Sequence, residues 1–328
     1  MLDLPPGCRA DDLGRLADWL EASTLVEESS IPKAELMEEL RSSGLVLPRD
    51  ESFGEDSDEL GLDDDEDLDS ALERLADDVI SECRQRSITL SQSYPFVAKS
   101  GLFSLRTDCT YDGYAFLLLA DLGHHYPQLK DAVKADSHSG RLMEKVVEGA
   151  LRGLFGPSKR FGWPIEPGWP KSIDDRVARL GESLGVAVDS LTDKTDPADK
   201  DRTLDVVGLY SMAGSTEATM AILVQCAAGK DWKQKLGAPS VEMWNNLLIW
   251  NTMLVRAIAL PWRLGGRKGD WTYGRVCSMS NGAMVLDRPR LLAGDPDKNL
   301  DPAARDDISQ WWRNAISEIP NASRRSTF

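Results

Sequence analysis

The sequence predicts an α/β protein, a mixed central sheet flanked by helices, with an added N-terminal helical module. Three observations carry this expectation. Residues 137–156, "SHSGRLMEKVVEGALRGLFG", place Leu142, Met143, Val146, Val147, Ala150, Leu151 and Leu154 on one broad apolar helix face. Residues 204–232, "LDVVGLYSMAGSTEATMAILVQCAAGKDW", read as two apolar strands joined by small and polar residues. From residue 140 the order is helix, weak strand near 161–165, inserted helix at 173–184, strand at 204–209, second strand, helix at 240–254 and strand at 255–262. Such an order builds helices onto a mixed sheet.

Before this core the chain is more varied. Residues 9–21 carry Leu13, Leu16, Ala17 and Leu20 at helical spacing. In "SSIPKAELMEELRSSGL", Ser30 is suited to cap a second helix, Pro32 to its first turn and Gly44 to its end. Residues 1–48 therefore form a small helical module suited to packing or docking. No Lys or Arg lies between Arg49 and Arg74. So acidic a run repels itself, and 49–69 reads as a linker; the alternative is a mimic of nucleic-acid phosphates. Residues 70–136 hold a helix, a strand pair turning at Ser100-Gly101 and a buried helix at 112–126. His124 and His125 at its end are adjacent and do not face the same way, so they read as capping or surface residues. The core is expected over 137–320, with a disordered tail at 321–328.

Bulk properties narrow the function classes. A formal charge of −16 argues against loose polyanion binding, although one basic groove is compatible with it. The five cysteines are widely spaced with no CxxC pair, which disfavours zinc and suits a reducing cytoplasm. No apolar run reaches membrane-spanning length, so no membrane association is expected.

The polar residues set into the core elements suggest a site. In the 137–156 helix, Glu144 falls at the border of the apolar face and looks into a crevice, while Glu148 falls further round, toward solvent. Gly149 and Gly153 sit near the opposite border and permit close approach of a neighbour. Asp205 opens one apolar strand and Gln225 closes the next. Each alone is an ordinary turn or cap residue; together with Glu144 they form a candidate metal site. Strands lie about 4.8 Å apart, so residues 205 and 225 can share one ion.

The stretches "GRLME" (140–144), "DRTLDVVG" (201–208) and "ILVQCAAGKDW" (222–232), in this order, resemble the restriction-endonuclease-like superfamily and its D-Xn-(D/E/Q)-X-K site. They are most similar to its Mrr-like branch, in which Gln replaces the second acid. The resemblance covers roughly residues 137–290. It implies a restriction-endonuclease-like core that hydrolyses DNA phosphodiesters with Mg²⁺ or Mn²⁺. Glu144, Asp205, Gln225 and the backbone carbonyl of Cys226 would be the metal ligands, an oxygen set that suits such an ion. It also implies a bacterial defence role, restriction-type or anti-phage. The family's Lys falls at Ala227; Lys230, after Gly229, is the expected replacement, ahead of Lys233. Trp232 reads as packing its loop, with stacking on a base or sugar as the alternative. The Cys226 thiol reads as packing. The acidity and the N-terminal module predict a partner subunit, an ATPase being one candidate. The rival reading is a degenerate, non-cutting member of the fold that binds nucleic acid or a partner as an adaptor.

Overall fold

Strand alternation explains the central layer. The computed structural model describes residues 1–45, 64–99, 101–123, 126, 137–189, 200–211, 220–265 and 272–323. It divides into two units, one built from Met1–Tyr111 with the chain end from Ile316, the other from Asp112–Gly265 and the later residues up to Ala315.

The first unit holds α1 (Leu13–Glu27), β1 (Ile31–Pro32), α2 (Lys33–Ser42), α3 (Asp64–Leu90), β2 (Phe96–Lys99) and β3 (Leu102–Leu105). The strands form a small sheet in the order β1-β3-β2. Pro32 is the N-cap of α2 rather than part of its first turn, because Ile31 and Pro32 pair with Phe103 and Leu102. Residues 46–63 of the acidic run lie outside the described residues. Its last part differs from the expected linker: α3 already begins at Asp64. Arg86 of α3 is buried against α1, its Nη1 2.6 Å from Asp18 Oδ1 and 2.9 Å from Glu21 Oε1. Tyr94 Oη donates to the same Glu21 oxygen at 2.7 Å.

The second unit holds α4 (Asp112–Leu122), α5 (Ser137–Leu154), β4 (Ser158–Arg160), α6 (Ile173–Leu184), β5 (Ala187–Val188), β6 (Val206–Tyr210) and β7 (Met220–Cys226). There follow α7 (Val241–Leu247), β8 (Leu248–Ile249), β9 (Met253–Ala259), α8 (Tyr273–Met279), β10 (Met284–Leu286), α9 (Arg288–Leu292), α10 (Pro296–Asn299) and α11 (Pro302–Ser323), of which the part up to Ala315 belongs to this unit. Its central sheet has five strands in the order β10-β9-β7-β6-β4. β6 runs antiparallel to both neighbours, β4 and β7, while β7, β9 and β10 are parallel. The expected mixed sheet flanked by helices is therefore present.

Side chains alternate across a strand, and both faces of β6 are covered. Val207 and Leu209 join Ile173, Val177 and Leu180 of α6 and Trp244 of α7 in one core cluster. On the other face a Cβ at Gly208 would stand 3.3 Å from Leu151 Cδ1 of α5. The apolar face of α5 is buried as its periodicity predicts: Leu142, Met143, Val146, Val147, Ala150 and Leu151 are at most 1% exposed. Gly149 and Gly153 do admit a neighbour. The Gly294–Leu300 segment lies against them, and a Cβ at Gly153 would come 1.8 Å from the Gly294 carbonyl oxygen.

Other boundaries differ from expectation. The 240–254 helix stops at Leu247, where Leu248 turns extended and pairs with Val188. Trp250 Nε1 donates to the Trp244 carbonyl at 3.1 Å and satisfies one of the helix's last acceptors. The weak strand lies at Ser158–Arg160, earlier than 161–165. Of the expected tail, 321–323 end α11 and 324–328 lie outside the described residues, as do His124 and His125. Helix α4 belongs to the second unit, while the 70–105 segment belongs to the first. Among the described residues no helix is long and apolar enough to cross a membrane.

Candidate active site

The hydrogen-bond register sets the frame. In the antiparallel pair, Val206 of β6 faces Val224 of β7, so Asp205 and Gln225 stand at the same end of the two strands. The Asp205 amide donates to the Val224 carbonyl at 3.0 Å. Asp205 Oδ2 then accepts from the Cys226 amide at 2.6 Å and from the Gln225 side-chain amide. The aspartate and glutamine singled out in the sequence thus meet side by side.

Glu144 reaches the same place from α5. The Asp205 carbonyl accepts from the amides of Phe161 at 2.7 Å and Gly162 at 3.0 Å. A Cβ on Gly162 would stand 2.4 Å from Glu144 Oε2. Residue 162 is glycine because the carboxylate occupies that space. Glu144 and Asp205 are both buried. Burial pushes the Glu144 carboxyl up to about 8, reinforced by the Asp205 charge and opposed by Arg160. Burial likewise pushes Asp205 up to about 6, against the Cys226 amide bond that favours its charged form.

Three further residues take part beyond the expected set. Arg160, at the end of the edge strand β4, places its Nε 2.6 Å from Glu144 Oε2 and is 1% exposed. Its Nη2 donates to the Pro164 carbonyl at 2.8 Å. Asp201 accepts from the Trp163 amide at 3.1 Å and the Thr203 amide at 2.9 Å. It holds a turn in which Arg202 and Thr203 adopt φ of 48° and 60°, a left-handed pair that costs energy in non-glycine residues. Its charge is felt at both Glu144 and Asp205.

Lys235 is the third, and it, rather than Lys230, bonds a backbone group of this site. Lys230 is exposed and makes no hydrogen bond or ion pair among the described residues. Gly229 does not take the left-handed φ that would turn the chain back. Instead Trp232–Lys235 form one turn of 3₁₀ helix, in which positions three apart lie on one side. Trp232 is anchored in a cluster with Ala227, Ile258 and Val285 and meets Trp262 edge-on at 5.4 Å. Its packing reading holds, and three positions on, Lys235, itself exposed, reaches back with its ammonium. Lys235 Nζ donates to the Cys226 carbonyl at 3.0 Å, and Gln225 Nε2 lies 3.3 Å from the same oxygen. The carbonyl expected to face a metal is thereby engaged by a lysine. The buried Cys226 thiol is pushed well above its usual range by burial, which suits packing rather than nucleophilic attack.

Glu148 also departs from expectation: it is buried, not solvent-facing. Its Oε1 lies 3.2 Å from Arg152 Nη2 and its Oε2 3.8 Å from Lys145 Nζ. Ser158 of β4 donates to its backbone carbonyl at 2.7 Å, so the edge strand covers this side of α5.

Among the described residues no three His, Cys, Asp or Glu side chains form a metal-holding cluster. A magnesium-like ion needs only one or two carboxylates, other oxygens and water. The residues present fit that kind of ion in part: the burial of two carboxylates, Glu144 and Asp205, favours a compensating cation, while Glu144 Oε2 is already paired with Arg160 Nε at 2.6 Å. Because both carboxyls are raised, the stability tied to their protonated forms is full below their unfolded values, near pH 4, and is lost as pH rises through about 6 and then 8. The metal-free melting temperature is expected to fall from pH 5 to pH 8.5, and added Mn²⁺ to raise it more at pH 8.5 than at pH 6. Scanning calorimetry at pH 5, 6 and 8.5, with chelator and with added Mn²⁺, checks both.

Compared with family models, curated proteins and solved structures, the chain shows no match.

Proposed function

We propose that this protein is a metal-dependent nuclease with a restriction-endonuclease-like core, hydrolysing phosphodiester bonds in DNA. The observation that carries the reading is the meeting of Glu144, Asp205 and Gln225, from one helix and two adjacent strands, with the Lys235 ammonium one carbonyl away. The order of helix, edge strand, inserted helix and two antiparallel strands supports the reading. Glu144 and Asp205 would hold a Mg²⁺ or Mn²⁺ ion, with Gln225 as a further oxygen donor once its amide turns over. When bound, such an ion would activate water and neutralise charge growing on the phosphate.

The chain's own groups have separate tasks. The Cys226 amide fixes the orientation of the Asp205 carboxylate. Arg160 holds the Glu144 carboxylate against Gly162. Lys235 supplies the positive charge that the family pattern puts at Ala227, which here is wholly buried. A role in bacterial defence, a partner subunit such as an ATPase and a cytoplasmic location rest on the resemblance and the composition alone.

Lys235→Ala is expected to lower single-turnover cleavage of plasmid DNA about 100-fold with binding retained, and Lys230→Ala to leave it nearly unchanged. Measuring cleavage beside a binding titration separates the two effects; equal, small losses in both variants would remove Lys235 from this role. The ion pair of Arg160 with Glu144 favours a second reading, a non-cutting binding protein. In it the guanidinium balances the carboxylate in place of a metal. Absence of cleavage with every divalent ion, alongside retained DNA binding, would select that reading.

A further inference from the structure

We infer that Trp163 is a stacking platform for an unpaired base beside the candidate active site, so that the DNA strand acted on is single-stranded or locally unwound there. The inference rests on the nuclease reading above and adds the form of the substrate to it.

Trp163 is 45% exposed, unlike the cluster tryptophans Trp232 and Trp244. It follows Gly162, whose backbone lies against the Glu144 carboxylate, and its own amide donates to Asp201. The backbone that carries the indole is therefore tied to the acidic centre. The Arg176 guanidinium lies 5.7 Å from the indole centroid and 5.5 Å from that of Phe161. Arg176 is itself 1% exposed, so it backs the ring from the protein side and leaves indole surface for a ligand. An aromatic ring held in place with a free surface is what base stacking needs, and every base offers a π-face.

The surroundings favour a nucleotide over a protein partner. Interface tryptophans are anchors in apolar, desolvated pockets. Here the groups that meet Trp163 are charged: Asp201 at its amide and Arg176 over its ring. Lys159, on the preceding strand, lies over the Trp169 ring at 5.5 Å and adds another cation suited to phosphate. In a duplex the faces of the bases are covered by their neighbours, so a stacking ring finds its partner only where a strand is open.

The test is fluorescence anisotropy in chelator-containing buffer, which stops cleavage. The probes are a fluorescein-labelled single-stranded DNA of mixed sequence and the duplex of the same sequence. Trp163→Ala and Trp163→Leu are expected to weaken single-strand binding about tenfold, Trp163→Phe to stay within about threefold of the parent, and duplex binding to change little. Because the ring is exposed, all three variants are expected to melt like the parent. Unchanged single-strand binding in Trp163→Ala, or an equal loss on the duplex, would overturn the inference while leaving the nuclease reading standing. Failure of the unaltered protein to bind either probe would count against the nuclease reading itself.

Discussion

Asp205→Asn is expected to lose cleavage about 1,000-fold or more while the protein melts at or above the parent temperature. The substitution keeps the shape and an acceptor for the Cys226 amide, which now bonds Asp205 Oδ2 at 2.6 Å. What disappears is the negative charge. A metal-held phosphoryl transfer depends on that charge, and loss of a comparable electrostatic contact costs several kcal/mol in the barrier. The fold does not depend on it, since burial already pushes the carboxyl up to about 6 and its ionisation costs stability at pH 8. Cleavage rates beside thermal melts separate the two effects. Full activity in Asp205→Asn would take this residue out of the site.

Gly153→Ala is expected to have the largest effect on stability, about 3 kcal/mol or more. The added Cβ would stand 1.8 Å from the Gly294 carbonyl oxygen, and that oxygen is backbone, so no side-chain rotation relieves the clash. Reciprocally, a Cβ on Gly294 would stand 2.2 Å from the Ala150 carbonyl oxygen. The helix that carries Glu144 is thus seated backbone to backbone. Urea unfolding of the parent and variant measures the loss; an unchanged midpoint would mean that the segment has room to move away. Gly149→Ala, at 3.1 Å from the Pro296 carbonyl oxygen, is the milder comparison.

The parts of this molecule legible in the sequence are those set by local periodicity. The buried stripe of α5 follows from a 3.6-residue repeat, and β6 and β7 from short apolar runs bounded by polar residues. Glu144, Asp205 and Gln225 were readable because each interrupts such a pattern at a defined point: the border of a helix face, the start of a strand and the end of the next. Gly149 and Gly153 were readable as a close-approach surface, although the segment that fills it lies more than 140 residues further along the chain.

What was not legible depends on tertiary placement. Arg160 is an unremarkable basic residue in "SKRFGW" until the antiparallel register of β4 with β6 sets it opposite Val206 and beside Glu144. Glu148 looks solvent-facing on a helical wheel, because a wheel contains no edge strand to cover it. The position of Lys235 depends on a local turn that the sequence does not announce. Gly229 suggests a turn that would favour Lys230, whereas the turn is made by a 3₁₀ helix pinned at Trp232. The tryptophan considered for stacking, Trp232, is the packed one, and exposure singles out Trp163 instead.

The most direct test of the central claim is incubation of the purified protein with supercoiled plasmid in Mg²⁺, in Mn²⁺ and in excess chelator, with Asp205→Asn run alongside. The account predicts nicked or linear product with a divalent ion, none with chelator, and none from the variant. Product that persists in chelator, or that Asp205→Asn forms as readily as the parent, would contradict it.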